Sequence, residues 1–266
     1  MALLALLQTE PRFGHVVENL DASERRLAGL RADLLVLPEL FATGYSFRDR
    51  AEAASLAETF PEGPTCRRIL AWSRATGGVV VGGYAEKHGE RTFNAAAVVA
   101  AGRPLLSYRK VHLFGFEKEC FDPGDGPFPV VEHAGLRVGV MVCFDWMFPE
   151  AARTLALGGA DVIAHPSNLV MPWCQSAMRV RSLENGVYAV TANRVGVEER
   201  AGRPRLRFTG RSQITDPRGE VVACAPDEGE SLVTAVADPA LARDKRLPAG
   251  NDLFRDRRPE WYRTTL

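Results

Sequence analysis

Three apolar runs in this chain each break off at a residue that can do chemistry. LLVLP (34–38) ends at Glu39, LLSYR (105–109) at Lys110 and VGVMV (138–142) at Cys143. A fourth run, DVIAH (161–165), opens into Pro166, Ser167 and Asn168. Between such runs stand stretches with apolar residues at helical spacing, clearest in 16–30 (Val16, Val17, Leu20, Leu27, Leu30). The pattern predicts strands over 3–7, 33–37, 78–84, 92–100, 104–108, 138–142, 161–164, 188–192, 211–215 and 232–236. Helices are expected over 16–30, 64–76, 149–157 and 174–185, with Pro64 and Pro149 suited to a first helical turn. The alternation points to an α/β fold, and adjacent strand pairs point to antiparallel hairpins among parallel units.

In open α/β sheets ligands sit beyond the carboxyl ends of the strands. If the three strands share a direction, Glu39, Lys110 and Cys143 meet at one edge. The residue types suit nucleophilic catalysis. A thiol attacks a carbonyl or nitrile carbon as thiolate, so it needs a base or a positive charge beside it. Glu39 can take the thiol proton, hand it to a leaving amine and later activate water. Lys110 is expected to favour the thiolate and to steady a developing oxyanion. The backbone N–H of Phe144, on the turn after the nucleophile, is a second oxyanion donor. Two competing readings remain at this level. A buried cysteine packs like a small hydrophobe, and His112 or His165 could serve as the base of a Cys-His pair.

Composition narrows the partners. Lys+Arg and Asp+Glu are 33 each, so the net charge of zero gives no support for nucleic acid or an anionic membrane. The tail's small excess of Lys and Arg does not change that. Cys66, Cys120, Cys143, Cys174 and Cys224 are scattered and odd in number, with no metal-ligand spacing. A disulfide framework or a zinc site is not expected, and a cytoplasmic location is. The N-terminal apolar stretch covers only 2–7, which reads as a buried strand rather than a signal peptide or membrane span. No linker divides the chain, so one domain over 1–266 is expected. Residues 239–266 are expected to form an extended C-terminal tail, either laid over the body or a neighbouring subunit or solvated at the surface.

LPELFATGY (37–45), YRKVHLF (108–114) and CFDWMFPE (143–150) resemble, in order and spacing, the three signature segments of the nitrilase superfamily of carbon–nitrogen hydrolases. The resemblance continues through GADVIAHPSNLVMP (159–172), RSLENGVYAVTANR (181–194) and NDLFRDRRPEWY (251–262). It looks closest to stand-alone bacterial and archaeal members acting on small aliphatic amides or nitriles. It implies a four-layer-forming α-β-β-α sandwich with mixed sheets, and a homodimer or higher homo-oligomer whose tail often crosses to the partner. It implies a catalytic set of Glu39, Lys110 and Cys143, with no metal and no organic cofactor. A second glutamate on the loop after the lysine precedes the Pro-Gly glycine by seven residues in the family. Counting back from Gly124 selects Glu117 over Glu119. Tyr45, Phe114, Trp146, Asn168 and Trp173 are the expected substrate-binding residues, with core packing the competing role for the two tryptophans. The expected reaction is hydrolysis of a small amide through a thioester. A nitrile or an N-carbamoyl amine is the alternative, and Arg179 or Arg181 would serve a substrate carboxylate.

Overall fold

Alternate residues of the early strands enter two different cores. Leu4 and Leu6, Leu34 and Val36, and Val79 and Val81 join one apolar cluster, while Ala5, Leu7, Leu35 and Val80 join another. Both faces of these strands are therefore buried, which is why they read as continuous apolar runs rather than as an alternation. The second cluster is closed by Leu20 and Leu27 of the helix Val16–Leu27 and by Ile69 and Trp72 of the helix Pro64–Thr76. The first is shared with Val138, Val140, Val162, Ala164 and Val190 of a second sheet. The computed structural model describes residues 1–200 and 202–262.

The first sheet has six strands in the spatial order Ser231–Ala237, Ala2–Gln8, Ala32–Val36, Gly77–His88, Arg91–Ala100 and Arg103–Arg109. The three from Ala2 to His88 are parallel, and the outer pairings are antiparallel. The second sheet runs Val221–Cys224, Gln213–Thr215, Tyr188–Ala192, Val162–Pro166, Leu136–Val140 and Val130–His133, again parallel in the middle and antiparallel at both ends. Helices Pro149–Leu157 and Cys174–Asn185 pack on that sheet. The result is the α-β-β-α sandwich, with the main core between the sheets. No helix among the described residues is long and apolar enough to cross a membrane.

The helix expected over 16–30 stops at Leu27, because Ala28 is extended and Gly29 takes φ +77°. The expected strand 211–215 begins only at Gln213, since Arg211 sits at φ +51°. From Pro239 the chain returns over the second sheet. Arg243 pairs with Asp161 at 2.7 Å, and Lys245 donates to the carbonyls of Asn185 and Gly186 at 2.9 and 2.7 Å, satisfying the helix C-terminus. Residues 263–266, the end of the expected tail, lie outside the described residues.

Gly83 fixes how the Glu39 segment lies on the first sheet. Beyond the strand Ala32–Val36 the chain stays paired to Gly77–His88, with Leu37 N–H donating to Val81 O and Gly83 N–H to Pro38 O. A Cβ on residue 83 would stand 2.4 Å from Glu39 Cα. Gly83→Ala is therefore expected to destabilise the fold by about 2 kcal/mol through overpacking. It should also lower kcat by roughly tenfold or more by displacing Glu39. Denaturant melts and turnover measured on one preparation check both effects.

Candidate active site

Lys110 directly follows the edge strand Arg103–Arg109 of the first sheet, and its side chain has no exposure. Its Nζ donates to Glu39 Oε1 at 2.7 Å and to Glu117 Oε1 and Oε2 at 2.8 Å each. An ammonium has three protons. If the two Glu117 oxygens share one proton in a bifurcated bond and Glu39 takes another, the third can meet a ligand. Burial by itself would lower the Lys110 pKa, but the Glu117 and Glu39 carboxylates outweigh it and hold the ammonium well above its usual range. Lys110 is thus a fixed cation and not a base.

Glu117 lies on the short helix Glu117–Cys120 and is buried. It accepts from Tyr45 Oη at 2.6 Å and from the Phe114 N–H at 3.3 Å in addition to Lys110. Burial raises its carboxyl above the ordinary range, opposed by the Lys110 ammonium. Its loop is brought in by Gly124, whose N–H donates to Lys110 O at 2.8 Å. A Cβ there would stand 2.2 Å from Arg109 O, so only glycine permits the approach. Glu119 instead pairs with Arg203 at the surface. Asn94, from the middle of the strand Arg91–Ala100, donates to Glu39 Oε1 at 2.7 Å. Glu39 Oε2 is buried without a hydrogen-bond partner among the described residues.

Cys143 comes from the other sheet, just past the strand Leu136–Val140, where the chain turns into the 3-10 segment Cys143–Met147 and then the helix Pro149–Leu157. The expectation of three residues meeting at one sheet edge is thereby corrected. Two come from one sheet and the third from the sheet facing it. Cys143 holds φ +43°, a left-handed conformation that an L side chain adopts at a cost of roughly 1–2 kcal/mol. Asp145 braces this turn. Its Oδ2 accepts the Val142 N–H and Tyr108 Oη at 2.8 Å each, and its Oδ1 accepts the backbone N–H of His112 at 3.1 Å and its ring Nδ1–H at 2.8 Å. The Cys143 turn is thus tied to the segment that carries Lys110.

The Cys143 thiol is 5% exposed, and the charges of Glu39, Lys110 and Glu117 all act on it. Burial and the Glu39 carboxylate together push its pKa well above the usual thiol range, and Lys110 only partly opposes them. Lys110 pulls toward the thiolate, the expected direction, without outweighing burial and Glu39. His112 and His165 do not offer a base to Sγ. The His112 ring is held by Asp145 and stacked 3.7 Å from Phe148, and His165 Nε2 binds the Cys143 carbonyl at 2.9 Å.

A narrow cleft over Cys143 is lined by Phe114, Phe144, Trp146, Leu169, Val170, Met171 and Asn168. Among the described residues no charged side chain lines it. Asn168 has both amide atoms buried and unpartnered among the described residues, an unfavourable state unless a ligand pairs them. The Phe144 N–H likewise meets no acceptor among the described residues, as the first N–H groups of a helical turn do. Two expected lining residues stand elsewhere. Tyr45 is behind Glu117 in the aromatic cluster with Phe116 and Phe208, and Trp173 is 59% exposed outside the cleft. Arg179 and Arg181 are turned away too, one on Gly219 O and Glu220 and the other on Trp146 O and Glu184. Asn94 was missed as a site residue and His165 was weighed only as a base, although a lone amide and a lone imidazole inside apolar strand runs are the signal for a buried polar contact.

Residues 3–246 match the family model described as Carbon-nitrogen hydrolase. A nitrilase of Pyrococcus abyssi (strain GE5 / Orsay) is 46% identical over 265 residues, covering 98% of this chain and 99% of that protein. An N-carbamoylputrescine amidase of Arabidopsis thaliana is 32% identical over 272 residues, covering 93% and 90%. Among solved structures, an amidase from Nesterenkonia sp. superposes with TM-score 0.79 at 28% identity over 97% of this chain and 94% of that one. A mutant of the same amidase shows covalent addition of the acetamide moiety of fluoroacetamide at its active site cysteine. A cysteine turned out of a strand toward a buried lysine and two glutamates needs a family whose chemistry uses it, and similarity running from end to end supplies one: this chain belongs to the carbon–nitrogen hydrolases of the nitrilase superfamily.

Proposed function

We propose that the chain hydrolyses the C–N bond of a small, uncharged aliphatic primary amide, releasing ammonia and a carboxylic acid. The observation that carries this reading is the buried Glu39–Lys110–Glu117 cluster beside Cys143, under a cleft with apolar walls and no charge. Cys143 Sγ attacks the carbonyl carbon while its proton passes to Glu39, whose Oε2 is free to receive it. The carbonyl oxygen becomes an oxyanion held by the remaining Lys110 proton and the Phe144 N–H. Glu39 then protonates the nitrogen, the C–N bond breaks, and ammonia leaves a thioester on Cys143. Water enters, Glu39 takes its proton, and the acid departs as the thiol is restored. Glu117 keeps Lys110 in place and charged. The unpartnered Asn168 amide faces the cleft to pair with the substrate.

A nitrile is the second reading, favoured by the likeness to the Pyrococcus abyssi nitrilase. Addition of the thiol to a nitrile gives a thioimidate at the same site. An N-carbamoyl amine with a charged tail fits less well, because no carboxylate or cation faces the cleft. Ammonia release from acetamide, propionamide and butyramide, the matching nitriles, and amides with a carboxylate or ammonium tail decides among them. Uncharged amides are expected to exceed the charged ones by about tenfold or more in kcat/KM, a desolvation effect of roughly 1.4 kcal/mol or more. Preference for a charged tail overturns the reading.

Exposed Leu157, Val180 and Leu183 on the two outer helices support pairing of copies in solution, checked by light scattering. The five free cysteines suit a reducing cytoplasm.

A further inference from the structure

Among the described residues His165 is the only fully buried histidine, and its ring touches the backbone of Cys143. The Cys143 carbonyl can only accept, so Nε2 carries the ring proton and donates to it over 2.9 Å. Nδ1 is then a bare acceptor, and the Thr191 hydroxyl donates to it at 3.1 Å. Ser167 Oγ stands 3.1 Å from Nε2 and donates to the His165 carbonyl at 3.3 Å. Burial pushes the imidazole pKa down to about 4, against the pull of the Cys143 carbonyl and the Asp145 carboxylate, so the ring is neutral in any neutral buffer. The strand Val162–Pro166 and its neighbour Tyr188–Ala192 therefore hold one tautomer in one orientation.

The carbonyl that His165 grips belongs to the Cys143–Phe144 peptide, and the other end of that peptide is the Phe144 N–H. A hydrogen bond to the oxygen of an amide polarises the group and strengthens the bond its N–H makes, by about 10–30% per bond. The same contact fixes the plane of a peptide that follows a residue at φ +43°, a conformation the local chain does not favour. We propose that His165 is a positioning residue that acts through the Cys143–Phe144 peptide, aiming the Phe144 N–H at the substrate oxygen and strengthening it as an oxyanion donor. This rests on the reading of Cys143 as the nucleophile and of Phe144 as an oxyanion donor.

The test separates a reaction that forms an oxyanion from one that does not. Turnover is followed with whichever of acetamide, propionamide and butyramide the wild type hydrolyses fastest. Thiol reactivity is followed with methyl methanethiosulfonate, a displacement at sulfur, read at the Cys143 peptide by mass spectrometry. His165→Leu removes the donor and is expected to lower kcat by about 10- to 100-fold, with KM and the thiosulfonate rate within about threefold of wild type. His165→Gln, whose side-chain amide can reach the same carbonyl, is expected to recover most of that loss. Thr191→Val, which only frees Nδ1, should lower kcat several-fold and serves if the leucine variant does not fold. Equal loss of turnover and thiol reactivity would place the role in the thiol's position and overturn the proposal. Unchanged turnover in both His165→Leu and Thr191→Val would overturn it as well. Failure of the underlying reading looks different: wild-type enzyme modified at Cys143 would go on hydrolysing the amide.

Discussion

Cys143→Ala is expected to reduce amide turnover by roughly 10⁴-fold or more while leaving the fold intact. The size follows from what is removed. Without the thiol no covalent intermediate forms, and water must attack the amide directly with only the remaining groups to help. The fold should tolerate the change because the thiol makes only a long contact, 3.9 Å from Sγ to Asn168 O. Alanine bears the same backbone conformation that cysteine already tolerates at this position. The turn itself is held by Asp145 through Val142, Tyr108 and His112, none of which changes. Ammonia release and a denaturant melt on one sample check both halves. A variant that melts like wild type and still turns over within tenfold of it contradicts the account.

Lys110→Met carries the second large effect, on stability and activity together. Among the described residues Lys110 is the only cation bonded to two fully buried carboxylates. Removing one partner of a buried pair leaves an uncompensated charge and costs about 3–5 kcal/mol. Turnover should fall by at least about 10²-fold with the loss of the oxyanion cation. The sign with pH follows from Glu117. Its folded-state pKa is already raised by burial, and without Lys110 it rises further. A carboxyl whose folded pKa lies above its unfolded value favours the folded state when protonated, and that contribution is lost as pH rises through the folded pKa. The melting deficit of Lys110→Met should therefore be larger at about pH 8 than at about pH 5. Lys110→Met with Glu117→Gln should regain part of the stability, since one stranded charge is gone, yet stay inactive. A single variant with no stability deficit would mean that the cluster is not ionised as described.

The parallel strands were legible because burial on both faces leaves an unbroken apolar run, as in Leu34–Val36 and Val79–Val81. The edge strands Val130–His133 and Val221–Cys224 were not. They are half exposed, short and mixed in polarity, so their pairing is decided by neighbours far along the chain. Glu39, Lys110 and Cys143 stood out at the ends of their runs, but their meeting depends on how two sheets face each other, which no local pattern carries. The cleft was the least legible part. Phe114, Trp146 and Asn168 line it, whereas Tyr45 and Trp173, equally close to the motifs along the chain, point elsewhere. Proximity in sequence says which turn a side chain leaves from and not which way it leaves. Asp145 carries no local pattern that says whether it shapes the pocket or braces the turn, and its four accepted hydrogen bonds assign it to the turn.

The central claim is that an acyl group passes through Cys143. Enzyme mixed with propionamide, quenched in acid within the first turnovers and digested, is read by mass spectrometry. A mass gain of one propionyl group is expected on the peptide holding Cys143, reduced in Glu39→Gln, where the thiol loses its base and the leaving nitrogen its acid, and absent in Cys143→Ala. Steady propionamide turnover with no adduct on Cys143, or with the propionyl group on another residue, would contradict it.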